Sequence, residues 1–70
     1  MLGSELRAIR ETRGLTVRDL AERADVSPEA VSAIERGARY PNLRTLEQIA
    51  EVLRIRIIIG PSETVIEPEL

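Results

Sequence analysis

The residues able to do chemistry in this chain are few and one-sided. All ten cationic residues are arginine, and lysine, histidine and cysteine are absent. Without histidine or cysteine the commonest general base, the commonest metal ligand and the thiolate nucleophile are missing. The carboxylates are spread along the chain, and no nucleophile–base pair, P-loop or metal-ligand cluster can be traced. The sequence therefore argues against an enzyme and calls for no metal or cofactor. Arginine is suited to planar, two-pronged contacts with phosphate and guanine. Arg18, Arg36, Arg39 and Arg44 all fall in or around one short stretch, "SPEAVSAIERG", Ser27 to Gly37.

The charge is unevenly divided. The formal net charge is −2, but residues 1–44 hold eight Arg against seven Asp or Glu, and residues 45–70 hold two Arg against five Glu. An anion-binding face belongs to the first part, and the acidic end repels nucleic acid. Seventy residues allow one small core, which a second copy would help to stabilise. No apolar run approaches the roughly 20 residues of a membrane helix, and "MLGSELRAIR" does not read as a signal peptide. The expectation is a cytoplasmic protein with no membrane partner.

Four helices must position the arginines. Ser4 is taken as the N-cap of the first, with Leu2, Leu6 and Ile9 as its apolar stripe and Gly14 as its stop. Thr16 caps the second, Asp19 completes a capping box, and Val17, Leu20, Ala21 and Ala24 form its inner face. Ser27 caps the third, with Pro28 at the first helical position and Glu29 at the positive helix end. Val31 and Ile34 face inward and Gly37 stops it. After the loop "GARYPN", Asn42 caps a fourth helix with the stripe Leu43, Leu46, Ile49, Ala50 and Leu53.

Residues 54–70 change character. "RIRIII" alternates, with Ile55, Ile57 and Ile59 on one face and Arg54 and Arg56 on the other. "GPSE" is a turn. "TVIE" reads either as a second strand or as part of an acidic tail that docks a partner. "PEL" reads as a fraying end. A bare strand with three consecutive isoleucines aggregates unless covered. The favoured cover is the same strand of a second copy, through Ile55, Ile57, Ile58, Ile59 and Val65. The alternatives are a strand folded back on its own helices, or a fifth helix. The division is residues 1–53 as the helical unit that holds the candidate anion-binding face and 54–70 as a β dimerisation segment with an acidic tail.

The second and third helices are joined by "ADVS". Ala21 is small where they must approach, and Asp25 sits where the turn can require positive φ, a region Asp tolerates better than most residues. This is helix-turn-helix spacing. "GLT", "LAERA", "AIERG" and "PNLRTLEQIAEVL" together resemble the Cro/C1-type (XRE) helix-turn-helix family. The helix leading into an apolar strand is similar to HipB-type antitoxins, whose strands pair across a dimer. The resemblance implies a salt bridge between Arg10 and Glu35 beneath the third helix. The chain departs from the family pattern at Val17, Pro28 and Glu29, where relatives often carry Gln that touches phosphate or reads adenine. Base readout must therefore differ.

With Val31 and Ile34 inward and about 100° per residue, Glu29, Ser32, Ala33 and Arg36 point outward and Pro28 lies at the edge. A recognition helix meets base edges with its N-terminal residues. Glu29 can accept from cytosine, Ser32 can bond several bases, Ala33 can touch a thymine methyl, and Arg36 can reach guanine or phosphate. Glu29 serves equally well as a helix-start charge. Arg18, Ser27, Arg39 and Arg44, with the N–H groups of Leu43 and Arg44, are the candidates for phosphate. Tyr40 is assigned to loop packing. The reading is a mainly α helix-turn-helix repressor that binds a palindromic operator in double-stranded DNA as a homodimer. An antitoxin with a toxin partner and a phage- or plasmid-type repressor are candidates within that class. A protein-interaction module that has lost DNA binding is the rival outside it.

Overall fold

A computed structural model describes residues 1–69, with four helices followed by a two-stranded hairpin. The order is α1 (Leu2–Thr12), α2 (Val17–Ala24), α3 (Pro28–Glu35), α4 (Leu43–Leu53), β1 (Ile55–Ile59) and β2 (Thr64–Pro68). Local signals account for most of these boundaries. Thr16 and Asp19 form a reciprocal capping box at the start of α2. Ser27 accepts from the Ala30 N–H and Asn42 from the Thr45 N–H, which opens α3 and α4. Helix α1 differs from expectation. It begins at Leu2, and Ser4 is inside it, its hydroxyl donating to the Met1 carbonyl instead of capping. The cap position is set by where α1 lies on α3, which no local signal reveals.

The turn between α2 and α3 takes the anticipated form. Asp25 has φ 58° and ψ 44°, and the Val26 N–H returns to the Ala21 carbonyl at 3.0 Å. Helix α3 ends in a Schellman closure. Gly37 has φ +77°, its N–H bonds Ile34 O at 3.1 Å, and Ala38 N–H bonds Ala33 O at 2.9 Å. One close approach fixes α1 against α3. A Cβ on Gly3 would lie 2.2 Å from the Ile34 carbonyl oxygen and 2.8 Å from that of Glu35. Only a residue without a side chain lets the two backbones meet there.

The core gathers Leu6, Leu20, Ala21, Ala24, Val31, Ile34, Ile49 and Leu53 from all four helices. It continues past residue 53, because Ile55 is only 4% exposed within the single chain. Ile55 therefore belongs to the chain's own core and is withdrawn from the interface set. It follows directly on α4 and is carried under the helices before the hairpin diverges. Leu43 is corrected in the opposite sense. It belongs to the apolar stripe by spacing, but it sits at the first position of α4, beyond the reach of the core, and is exposed.

The hairpin resolves what the end of the chain does. β1 and β2 pair antiparallel within the chain, in register Ile55↔Pro68, Arg56↔Glu67, Ile57↔Ile66, Ile58↔Val65 and Ile59↔Thr64. One edge of β1 is thus covered in cis, not by a second copy. "TVIEP" is a strand, and the Glu69 N–H donates to the Arg54 carbonyl at 3.0 Å, so the chain is held as far as Glu69 rather than fraying. Ile57 and Ile66 pack on the helical core, while Ile58 and Val65 are exposed. Arg54 makes the sharp change from helix to strand with φ 59°, and Arg13, the C-cap of α1, donates its Nε to the Leu53 carbonyl at the same junction. No described helix is long and apolar enough to cross a membrane.

Candidate nucleic-acid interface

Helix α3 rests on a buried ion pair. Arg10 of α1 donates Nε to Glu35 Oε2 at 2.7 Å and Nη2 to Glu35 Oε1 at 2.9 Å, and its Nη1 donates to the Leu15 carbonyl at 2.7 Å. The two side chains are only 9% and 7% exposed. One guanidinium therefore ties α1, the α1–α2 turn and the end of α3 together. Its hydrogen bonds to Glu35 hold Arg10 above the usual arginine range, so it stays charged. The resemblance implied this pair, and the structure forms it.

Above that support the outward face of α3 is open. Pro28, Glu29 and Arg36 are exposed, and Ser32 and Ala33 are half-buried. The half-burial follows from the short helix, since Ser32 and Ala33 flank the inward Val31 and Ile34. Arg36 lies along its own helix, with Nε donating to Ser32 O at 3.4 Å. That contact is long and exposed, so it leaves the guanidinium loosely held.

Seven of the ten arginines fall into two groups; of the other three, Arg13 bonds the Leu53 carbonyl, and Arg23 and Arg54 are exposed without a carboxylate partner among the described residues but lie at the far ends of α2 and α4. Arg7, Arg10 and Arg56 are paired with carboxylates. Arg18, Arg36, Arg39 and Arg44 are all exposed, and none has a carboxylate within 4.0 Å among the described residues. The first group is spent on the fold or on the hairpin surface. The second is free to meet an anion.

A cleft of about 330 Å³ brings several candidates together. Ser27 and Asn42, the caps of α3 and α4, both line it, with Arg39, Tyr40 and Thr45. Two helix starts therefore open on one polar cleft. The first N–H groups of a helix have no intrahelical acceptor, and they favour negative charge. Since Asn42 already satisfies Thr45, the N–H groups of Leu43 and Arg44 stay available. Arg18 and Arg44 are outside the lining of this cleft. Tyr40 needs correction: it is 68% exposed, so it does not pack the loop, and Pro41 is the buried residue there. A ring next to proline can turn either way, and only the fold decides which of the two is covered. The sequence reading missed Thr45 as a lining residue. Its position three residues after the Asn42 cap is the signal that would have found it.

This arrangement presents a short helix on a buried ion pair, flanked by arginines without carboxylate partners among the described residues and by helix starts that favour anions. Comparison with known proteins accords with it. The chain matches the family described as Helix-turn-helix over residues 6–58. It is 43% identical over 70 residues to an uncharacterised HTH-type transcriptional regulator of Mycobacterium tuberculosis, covering 89% of this chain and 50% of that one. It is 41% identical over 70 residues to the immunity repressor protein of Bacillus phage phi105, covering 97% and 48%. Among solved structures it resembles the biofilm regulator SinR in complex with DNA, with a TM-score of 0.73 and 33% identity, covering 76% of this chain and 86% of that one. The chain belongs to the Cro/C1-type helix-turn-helix family. That family and these relatives are transcription regulators rather than enzymes. The chain spans about half the length of the curated relatives it matches.

Proposed function

We propose that the chain is a sequence-specific repressor that binds a palindromic operator as a homodimer. In this reading residues 1–53 contact DNA and 54–70 serve assembly. Helix α3 enters the major groove, with Pro28, Glu29, Ser32, Ala33 and Arg36 at the bases. Arg18, Ser27, Arg39 and the first N–H groups of α4, with Arg44, hold the phosphates. The observation that carries the reading is the set of exposed arginines around α3 that have no carboxylate partner among the described residues. The likeness to SinR in complex with DNA supports it. Two recognition helices would sit ~34 Å apart on successive grooves. The antitoxin variant drew on the likeness of this strand to HipB-type antitoxins and, for its toxin partner, on a free acidic tail, and β2 uses Thr64–Pro68 of that tail in the fold. We therefore favour the repressor without a toxin.

Anisotropy titrations of a selected operator at two salt concentrations test this. Arg39→Ala and Arg44→Ala should weaken binding to every sequence and lower the salt slope by about one unit each. Glu29→Gln should instead change which operator bases are preferred. A chain that binds no duplex even at low salt would be an interaction module on this fold.

A further inference from the structure

Two arginines near the end of α1 hold different parts of the molecule. Arg10 grips Glu35 at the end of α3, and α1 also meets the Ile34 and Glu35 carbonyls at Gly3. Arg13, the C-cap of the same helix, donates its Nε to the carbonyl of Leu53, the last residue of α4. That carbonyl has no donor within its own helix. The guanidinium supplies one, and its charge suits the negative end of α4. The next residue, Arg54, turns the chain with φ 59° and ψ 52°, and Ile55 opens β1. The Glu69 N–H donates to the Arg54 carbonyl from the other side. The joint between α4 and the hairpin is thus held twice, by α1 at Leu53 and by Glu69 at Arg54. Among the described residues, Arg13 makes the only side-chain hydrogen bond from α1 to this joint.

Resting on the homodimeric repressor reading above, we infer that Arg13 is a positioning residue that sets the spacing of the operator half-sites. When two copies assemble through residues 54–70, each α3 is placed by the direction in which its hairpin leaves α4. Helix α1 links α3 to that joint, with Arg10 at one contact and Arg13 at the other. The angle between α3 and the assembly segment is therefore fixed through one helix. The lever is long: the molecule measures 31 Å along its longest axis. A turn of roughly 10° at the joint moves the far end by about 5 Å, against a rise of ~3.4 Å per base pair. A dimer whose joints keep their angle must over- or undertwist an operator whose spacer is one base pair off. A dimer whose joints give way shares that cost with the DNA. Arg13 meets no base in this assignment and acts through the joint.

Anisotropy titrations of the full chain test this with a selected operator and with the same operator lengthened or shortened by one base pair at its centre. The wild type should favour the selected spacing over both. Arg13→Met keeps the side-chain stem and removes the donor. It should cut that preference by about threefold or more, with the salt slope and the dimer dissociation constant in sedimentation unchanged. Arg13→Lys returns a donor and should recover part of the preference. A spacing profile of Arg13→Met identical to the wild type overturns the inference and leaves the repressor reading intact. Weaker binding at all three spacings alike makes Arg13 a residue of stability only and overturns it too. So does a salt slope lowered by about one unit, which makes Arg13 a phosphate contact, or loss of the dimer, which makes it an assembly residue. A wild-type chain that binds all spacings equally overturns the inference alone. One that binds no duplex overturns the repressor reading with it.

Discussion

Two Arg–Glu pairs of similar length occur in this molecule, and they contribute differently. Arg10–Glu35 beneath α3 closes at 2.7 Å with the side chains 9% and 7% exposed. Arg56–Glu67 on the hairpin closes at 2.9 Å with the side chains 63% and 42% exposed. The first is two-pronged, and its guanidinium also holds the Leu15 carbonyl. The second is a single contact across a strand pair. Burial removes the solvent that would screen or replace the first pair, so losing one partner strands a charge. Water and salt can substitute for the second. Contact distance alone therefore does not rank the two. The base of α3 is held by a buried, two-pronged contact, and the hairpin surface carries an exposed, single one.

Glu35→Ala should show the largest effect. It leaves Arg10 buried and unpaired, and should cost ~3–5 kcal/mol in denaturant unfolding. A loss under about 1 kcal/mol would put this pair in the class of the hairpin pair. Gly3→Ala comes next. Its Cβ would meet the Ile34 and Glu35 carbonyls, which are backbone and cannot swing away. We expect ~1–3 kcal/mol of destabilisation, the usual range for overpacking. The same variant should weaken operator binding if α3 moves with its carbonyls.

A smaller effect is expected at the start of α2. Thr16→Ala removes the capping oxygen and should cost ~1 kcal/mol. The Thr16 backbone N–H, and then its hydroxyl, hold Asp19 below the usual carboxylate range. A depressed value means that this stability is present above the ordinary aspartate pKa. It is lost as the pH falls through the folded one. Thermal unfolding between neutral and acid pH should show a shallower acid loss in Asp19→Asn. The smallest effect belongs to Arg56→Ala, at ~0–1 kcal/mol, vanishing near 1 M salt. If salt leaves a large loss in place, the hairpin pair is more than a surface contact.

Much of this protein was legible along the chain because its signals are short-range. Thr16, Ser27 and Asn42 bond groups three residues away. Asp25 needs only its own backbone well, and the inward stripes of α2 and α3 follow from helical period. These choices are made within a turn of helix, so residue order is sufficient. The outward set of α3 could be read for the same reason.

What the tertiary structure decided lies between elements distant in sequence. Gly3 matters because Ile34 comes to it, and Arg13 because the end of α4 does. Tyr40 faces solvent, Leu43 leaves the core and Ile55 enters it, each against or beyond its local pattern. Hydrophobicity states that a side chain gains by burial, but it does not state which neighbour will cover it. The end of the chain shows this most plainly. Apolar strands carry the same alternation whether they pair with β2 or with another copy. Only the fold places β2 on one edge of β1 and leaves the other edge open, because pairing is set by which backbone arrives alongside and not by the strand's own residues.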